Sequence, residues 1–272
     1  RQREEILANM RINLARGLPT LKPGPKHDGA LILVAGGPSL ANEMLTLRML
    51  AERPGNRIVT ANDSHDFLIN RGIVPWGATY WEVGSPKKAS FLDRPHKGVR
   101  YFIASQAHPE VFDKLIAAGA DITVWHVYHG FPDKADVDLV FEHDPEGFMA
   151  GGGAGATLRW VYVGHALWQP PRTHIFGMDS SFTADQTHAY KQRQDIPKDE
   201  SWRLWDVFVL GKKFTTNSFL LHQADHFQWQ MQECKKQGIE VTIYGDGLIP
   251  EIARQIGVHV ESRRAERDVQ DY

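Results

Sequence analysis

The chain has 272 residues, 42% of them apolar and 24% charged, enough to bury a substantial core and too apolar for wholesale disorder. Lys and Arg number 31 against 33 Asp and Glu, a formal net charge of −2, which lacks the basic excess expected of a nucleic-acid binder. No apolar run reaches the roughly 20 residues of a membrane span, and a single cysteine, Cys234, excludes an internal disulfide framework and a cysteine-based zinc knuckle. With Arg1-Gln2-Arg3-Glu4 showing no charged-then-apolar leader, these features predict a cytoplasmic protein.

Ile6, Leu7, Met10, Leu14 and Leu18 keep helical spacing, and Pro19, Pro23 and Pro25 end it, so residues 1–27 are predicted to be an N-terminal helix and linker. Short apolar runs follow at 30–35, 57–61, 78–83, 99–104, 121–126, 173–178 and 240–244. Helical stretches separate them at 40–51, 65–70, 109–118, 156–168 and 219–237. Several runs are β-branched and continuous, the pattern of parallel strands covered on both faces. The alternation predicts an α/β fold over 28–260: a Rossmann-like, doubly wound, mostly parallel sheet with helices on both faces. Residues 261–272 read as a charged tail. The long connections 127–150 and 183–201 are predicted to be functional loops or small subdomains.

In open α/β sheets ligands bind outside the carboxyl ends of the strands, so the residues following each run carry the functional reading. After the first run stands Gly36-Gly37-Pro38-Ser39. Two glycines allow close backbone approach, Pro38 suits a helix start, and free amides there would attract an anion. The second run ends at Asn62-Asp63-Ser64, either a helix cap or a donor set for a ribose, a base or a metal. Glu82, Val83, Gly84 and Ser85, then Ser105 and Gln106, then His126, would form a polar pocket rim. After the sixth run comes Gly177-Met178-Asp179-Ser180-Ser181-Phe182, followed by Thr187-His188-Ala189-Tyr190. Asp179 can hold a cation or a sugar hydroxyl, and His188 can move a proton or donate to a phosphate.

Gly151, Gly153 and Ala156 match G-x-G-x-x-A, but no buried strand precedes them, so the dinucleotide fingerprint is incomplete. Such a segment can still form an anion nest, through Gly153 and Gly155 at the helix start. There is no G-x-x-x-x-G-K-[ST], hence no P-loop. His222 and His226 share a helix face, but the zincin glutamate between them is missing, so one ligand-touching histidine is expected and the other a satisfied one. Trp160, Trp168, Trp202, Trp205 and Trp229 read as packing residues.

The set Ile32-Leu33-Val34-Ala35-Gly36-Gly37-Pro38-Ser39-Leu40, Asn62-Asp63, the glycine segment and helix at 151–168, and Gly177-x-Asp179 with Thr187-His188-Ala189 resembles one family in residue type and order. It is that of the 6-hydroxymethylpterin diphosphokinase MptE-like proteins, which takes in the motility accessory factors of flagellin glycosylation and is distantly similar to bacterial sialyltransferases. The resemblance covers about residues 28–250. It implies a Rossmann-like fold and a nucleotide donor, either ATP with magnesium or a CMP-activated sugar. Gly36, Gly37, Pro38 and Ser39 would then be the nucleotide-phosphate loop, Asn62 and Asp63 the pair facing the donor, and Gly153 and Gly155 the small residues at the later helix. Asp179, His188 and, more loosely, His222 would be catalytic, and Asp63 and Asp179 would hold Mg2+. The resemblance puts diphosphoryl transfer to a pterin first, with Tyr80, Trp81 or Trp125 forming a flat slot. The alternatives are glycosyl transfer to a sugar acceptor beneath the 183–201 loop, and a nucleotide-binding module without turnover. Self-association is left open by the sequence. The run 151–153 departs from the family, whose members often carry a polar residue there.

Overall fold

The computed structural model describes residues 2–84, 90–183, 188–190 and 203–262. Helix α1 (Gln2–Leu14) leads to strand β1 (Leu31–Val34), a 3-10 turn (Pro38–Ala41), α2 (Met44–Ala51), β2 (Arg57–Ala61), α3 (Ser64–Ile69) and β3 (Gly77–Tyr80). Then come β4 (Arg100–Ala104), α4 (Pro109–Ala117), β5 (Asp121–Val127), α5 (Ala135–His143), β6 (Met149–Ala150), α6 (Ala156–Trp168) and β7 (Thr173–Phe176). The chain closes with a hairpin, β8 (Leu204–Val209) and β9 (Lys212–Asn217), then α7 (Ser218–Lys236), β10 (Val241–Tyr244), α8 (Leu248–Gln255) and β11 (His259–Glu261).

Nine strands form one sheet in the order β11-β10-β7-β1-β2-β3-β4-β5-β6, and every neighbouring pair is parallel. This is the expected Rossmann-like α/β architecture. The period of two along β1 explains it: Leu31 and Leu33 face a core shared with α6, α7 and α8, while Ile32 and Val34 face α2 and α3. A strand buried on both faces has no polar side, hence its continuous apolar run. A third cluster packs α4 against Tyr101, Ile103 and Val124.

From β1 the chain steps outward through β2 to β6, and α6 carries it back to place β7 on the other side of β1. The direction of winding therefore reverses between β1 and β7, where a doubly wound sheet opens a crevice at its carboxyl edge. Helix α1 lies across a different stretch of that edge. The Asn9 side-chain amide donates to the carbonyls of Val83 and Gln106, and that of Asn13 to those of Ser105 and Ala107. No helix among the described residues is long and apolar enough to cross a membrane.

Several elements went unpredicted. The connection 127–150 holds α5 and the two-residue β6, and the hairpin 204–217, α8 and β11 were not foreseen. In α8, Pro250 sits in the first turn, where its missing N–H has no helical partner to lose.

Candidate functional site

The turn after β1 and the loop after β7 meet at the switch point through direct hydrogen bonds. The Ser39 amide donates to Asp179 Oδ2 at 2.7 Å, and the Ser39 hydroxyl to Asp179 Oδ1 at 2.5 Å. Gly37 N–H donates to Gly177 O at 2.7 Å, and Leu40 N–H to Gly37 O. A Cβ at Gly37 would stand 2.5 Å from Gly177 O and 2.6 Å from Asp179 Oδ2, so only glycine lets the two loops close to this distance. These bonds correct the expected amide cradle: the amides of Gly37, Ser39 and Leu40 are already taken within the protein and are not free to hold an anion.

Asp179 lies beneath that turn, 3% exposed. Burial pushes its carboxyl up to about 6 against the lowering effect of the two Ser39 bonds, and Asp246 and Glu43 add to the rise. With both oxygens on Ser39, Asp179 shapes the loop from below, and its geometry does not suit the expected magnesium ligand. Among the described residues no group of three or more His, Cys, Asp or Glu converges as a metal site.

Around this closed junction other predicted residues gather. Asn62 occupies the left-handed region at φ 54°, which asparagine tolerates, and its Oδ1 is enclosed without a hydrogen-bond partner. Asp63 is buried and makes no capping bond to α3, so a helix cap does not account for it. The 188–190 segment returns over the turn: Ala189 N–H donates to Gly36 O at 3.0 Å, and a Cβ at Gly36 would collide with Tyr190 and press on His188. Tyr190 packs on Phe67, with its phenol pushed up by burial and by the charges of Asp63 and Asp66. Gly36, Asp63 and His188 thus share one corner. Thr187, Ser85, Trp202 and most of the 183–201 loop fall outside the described residues.

The glycine segment joins from the α6 side. Gly155 caps α6 at φ 115°, a conformation that side chains resist, and a Cβ there would stand 2.6 Å from Gln223 Nε2. Gln223, on α7, is the link: its Nε2 donates to Ala154 O at 2.9 Å and its Oε1 accepts from the Ser180 hydroxyl at 2.6 Å. Gly153 packs its Cα against the backbone of Leu158 and Arg159. His222 is exposed in the second turn of α7, its ring 4.2 Å from that of His226.

Other expectations need correction. Ser105, Gln106 and His126 are not an open rim: all three are buried, the first two under α1. Tyr80 and Trp125 are fully buried, and the Trp125 indole N–H donates to Phe102 O, so neither lines a slot. Trp205 and Trp229 are 46% and 53% exposed, not core residues. His226 is not satisfied, because its Nδ1 is enclosed without a partner. The sequence reading also missed Gln223 and Arg159, which lie mid-helix with no motif to flag them.

The fold matches a solved structure of the MAf glycosyltransferase from Magnetospirillum magneticum AMB-1, with a TM-score of 0.65 at 13% sequence identity, over 96% of this chain and 39% of that one. This chain spans about two fifths of that protein's length, and at such low identity the likeness is one of fold. No protein-family model matches the chain, and no curated protein matches it in sequence.

Proposed function

We propose that the protein is a nucleotide-dependent transferase of the glycosyltransferase type, using a CMP-activated sugar and a hydroxylated acceptor. The observation that carries this reading is the meeting, at one carboxyl edge, of the turn 36–39, Asn62, Asp63, the 188–190 segment and, through Gln223 and Ser180, the glycine segment 151–155. A switch-point crevice lined in this way suits a nucleotide. The glycosyltransferase named in the fold match supports this reading over the diphosphokinase one, and the core positions of Tyr80 and Trp125 remove two thirds of the expected pterin slot.

In this reading Asn62 Oδ1 and Asp63 accept from the base or ribose, while Gly36, Gly153 and Gly155 let Tyr190, Leu158 and Gln223 close against the backbone and fix the walls on either side. The acceptor hydroxyl oxygen bonds to the anomeric carbon as the bond from that carbon to the CMP phosphate breaks, and the hydroxyl proton passes to His188 or His222. Asp179 is a positioning residue that fixes Ser39.

A thermal-shift screen of nucleotides tests the reading. CMP is expected to raise Tm more than ATP with magnesium, and a CMP-sugar is expected to be consumed when a sugar acceptor is added. A larger shift with ATP and magnesium would return the diphosphokinase reading to first place. Binding of CMP without any turnover would leave a nucleotide-binding module.

A further inference from the structure

Beyond the switch point, Arg159, in the second turn of α6, has no paired carboxylate among the described residues. Its Nη1 donates to Ala150 O at 3.0 Å, its Nε is enclosed without a partner, and its guanidinium lies over the Trp81 ring, 5.2 Å from the centroid. Burial draws its pKa down only to about 10, so it stays charged at neutral pH. A half-buried guanidinium without an anion is a costly arrangement in a resting protein, and nearly all such groups are paired or bind a ligand.

Two further nitrogens point to the same conclusion. His129 Nε2 and His226 Nδ1 are enclosed and unpartnered, and both imidazoles feel the Arg159 charge. The His129 amide donates to Asp136 Oδ2 at 2.8 Å, which fixes the start of that loop. Burial, with a further push from Arg159, holds His129 neutral, down to about 4, so it can offer an N–H without adding repulsion. Three elements that are far apart in sequence border the glycine segment here: Arg159 and the Tyr128 amide, next to His129, both donate to Ala150 O, and Gln223, one turn before His226, donates to Ala154 O. An oxyanion is the ligand chemistry that would satisfy the enclosed nitrogens, because the Nε edge of a guanidinium presents parallel donors to a carboxylate or a phosphate.

We propose that Arg159, His129 and His226 form an oxyanion subsite that takes a carboxylate or phosphate group of the bound ligand. The subsite itself stands on these three side chains; only its assignment to a sugar nucleotide rests on the function proposed above. Within that function it lies next to the glycine segment, to which Arg159 is tied through Ala150 O. It is suited to the acidic group of a carboxylated sugar or to the phosphate that joins sugar and nucleoside.

The test is calorimetric titration and thermal shift of the full chain with four probes: CMP, cytidine, N-acetylneuraminate and inorganic phosphate. These are compared in the wild type, Arg159→Met, Arg159→Lys and His226→Phe. In Arg159→Met, binding of at least one anionic probe is expected to weaken 10-fold or more, while cytidine affinity is unchanged. Its ligand-free Tm is expected to equal or exceed that of the wild type, which a purely structural arginine would not allow. Arg159→Lys is expected to recover part of the anion affinity, and His226→Phe to weaken the same probe to a lesser degree. Selective loss of CMP assigns the subsite to phosphate, and selective loss of N-acetylneuraminate assigns it to carboxylate. The proposal is overturned if no anionic probe binds the wild type, if the anions bind Arg159→Met as they bind the wild type, or if that variant loses Tm and His226→Phe leaves anion binding intact. Anion binding that depends on Arg159 without any affinity for CMP or cytidine would sink the function proposed above and leave the subsite standing. Nucleotide binding in the wild type, with CMP, phosphate and N-acetylneuraminate all indifferent to Arg159, would do the reverse.

Discussion

The junction at Ser39 and the cluster at Arg159 are built on opposite principles. At the junction, the amides of Gly37, Ser39 and Leu40, the Ser39 hydroxyl and both Asp179 oxygens are engaged within the protein. Around Arg159, three buried nitrogens have no partner. A satisfied network holds its shape without a ligand, whereas an unsatisfied one is less stable until something binds. The sequence reading gave the glycine turn the ligand-binding donors, but the geometry makes that turn the rigid wall and leaves the open donors to its neighbour. Motif glycines mark where backbones approach closely, and here the closest approach is that of two loops to each other.

The largest test of this contrast is the charge on Asp179. Its carboxyl is pushed from an ordinary 3.8 up to about 6 by burial, so between those values the native state holds a proton that the unfolded chain has lost. Stability from this group is therefore intact below about pH 4 and falls as pH rises to about 6, by up to about 3 kcal/mol. Asp179→Asn keeps the shape, since its amide can donate to the Ser39 hydroxyl while its carbonyl accepts the Ser39 amide. Denaturant unfolding at pH 4 and pH 7 is expected to show the variant gaining on the wild type as pH rises. Equal differences at both pH values would mean that the carboxylate is not the strained group. If the transferase reading holds with Asp179 as a positioning residue, the same variant is expected to keep turnover, because both bonds to Ser39 are remade.

Gly37→Ala is expected to cost next most, about 1–3 kcal/mol, because its Cβ would meet Gly177 O and the Asp179 carboxylate with no flexible atom able to yield. Gly84→Ala is the control: among the described residues a Cβ there meets nothing within 4 Å, and its urea midpoint is expected to stay close to that of the wild type. A mild effect at Gly37 would show that the two loops are not as tightly closed as their hydrogen bonds indicate.

Much of this architecture was legible from the sequence. The two-sided burial of β1, β2, β4 and β7 left continuous apolar runs, and α6 was placed at 156–168, as found. Residues 36–39, Asn62, Asp63, Asp179 and His188 could be singled out because ligands in such folds sit at strand ends, and the structure brings the 36–39 turn into contact with Asp179 and the 188–190 segment. What stayed hidden had no periodic or compositional trace. Strand β6 is two residues long, and β8 lies mostly exposed outside the main sheet. Gln223 and Arg159 act through contacts that span 69 and 9 residues of chain, and on their own helices they look like ordinary polar residues. Burial under α1 likewise could not be read from Ser105 or Gln106, because the asparagines that cover them lie more than 90 residues away.

The smallest expected effect tests the link between the two regions. Gln223 joins Ser180, whose backbone belongs to the junction, to Ala154 in the glycine segment beside Arg159. Gln223→Leu removes both bonds at a partly exposed position where water can replace them, so the global cost is expected to be only about 1 kcal/mol. The local consequence is larger than the global one, because Gly155 and Ala154 lose the only side chain among the described residues that donates to this stretch. Amide exchange across 154–158 is expected to quicken in the variant while the strands β1 and β7 keep their protection. If the two regions act on one ligand, the wild type should also bind CMP and an anionic sugar with mutual enhancement, and Gln223→Leu should reduce that coupling without abolishing either affinity. Unchanged exchange in the glycine segment would mean that its conformation is held by Leu158 packing alone, and that wall and pocket are independent.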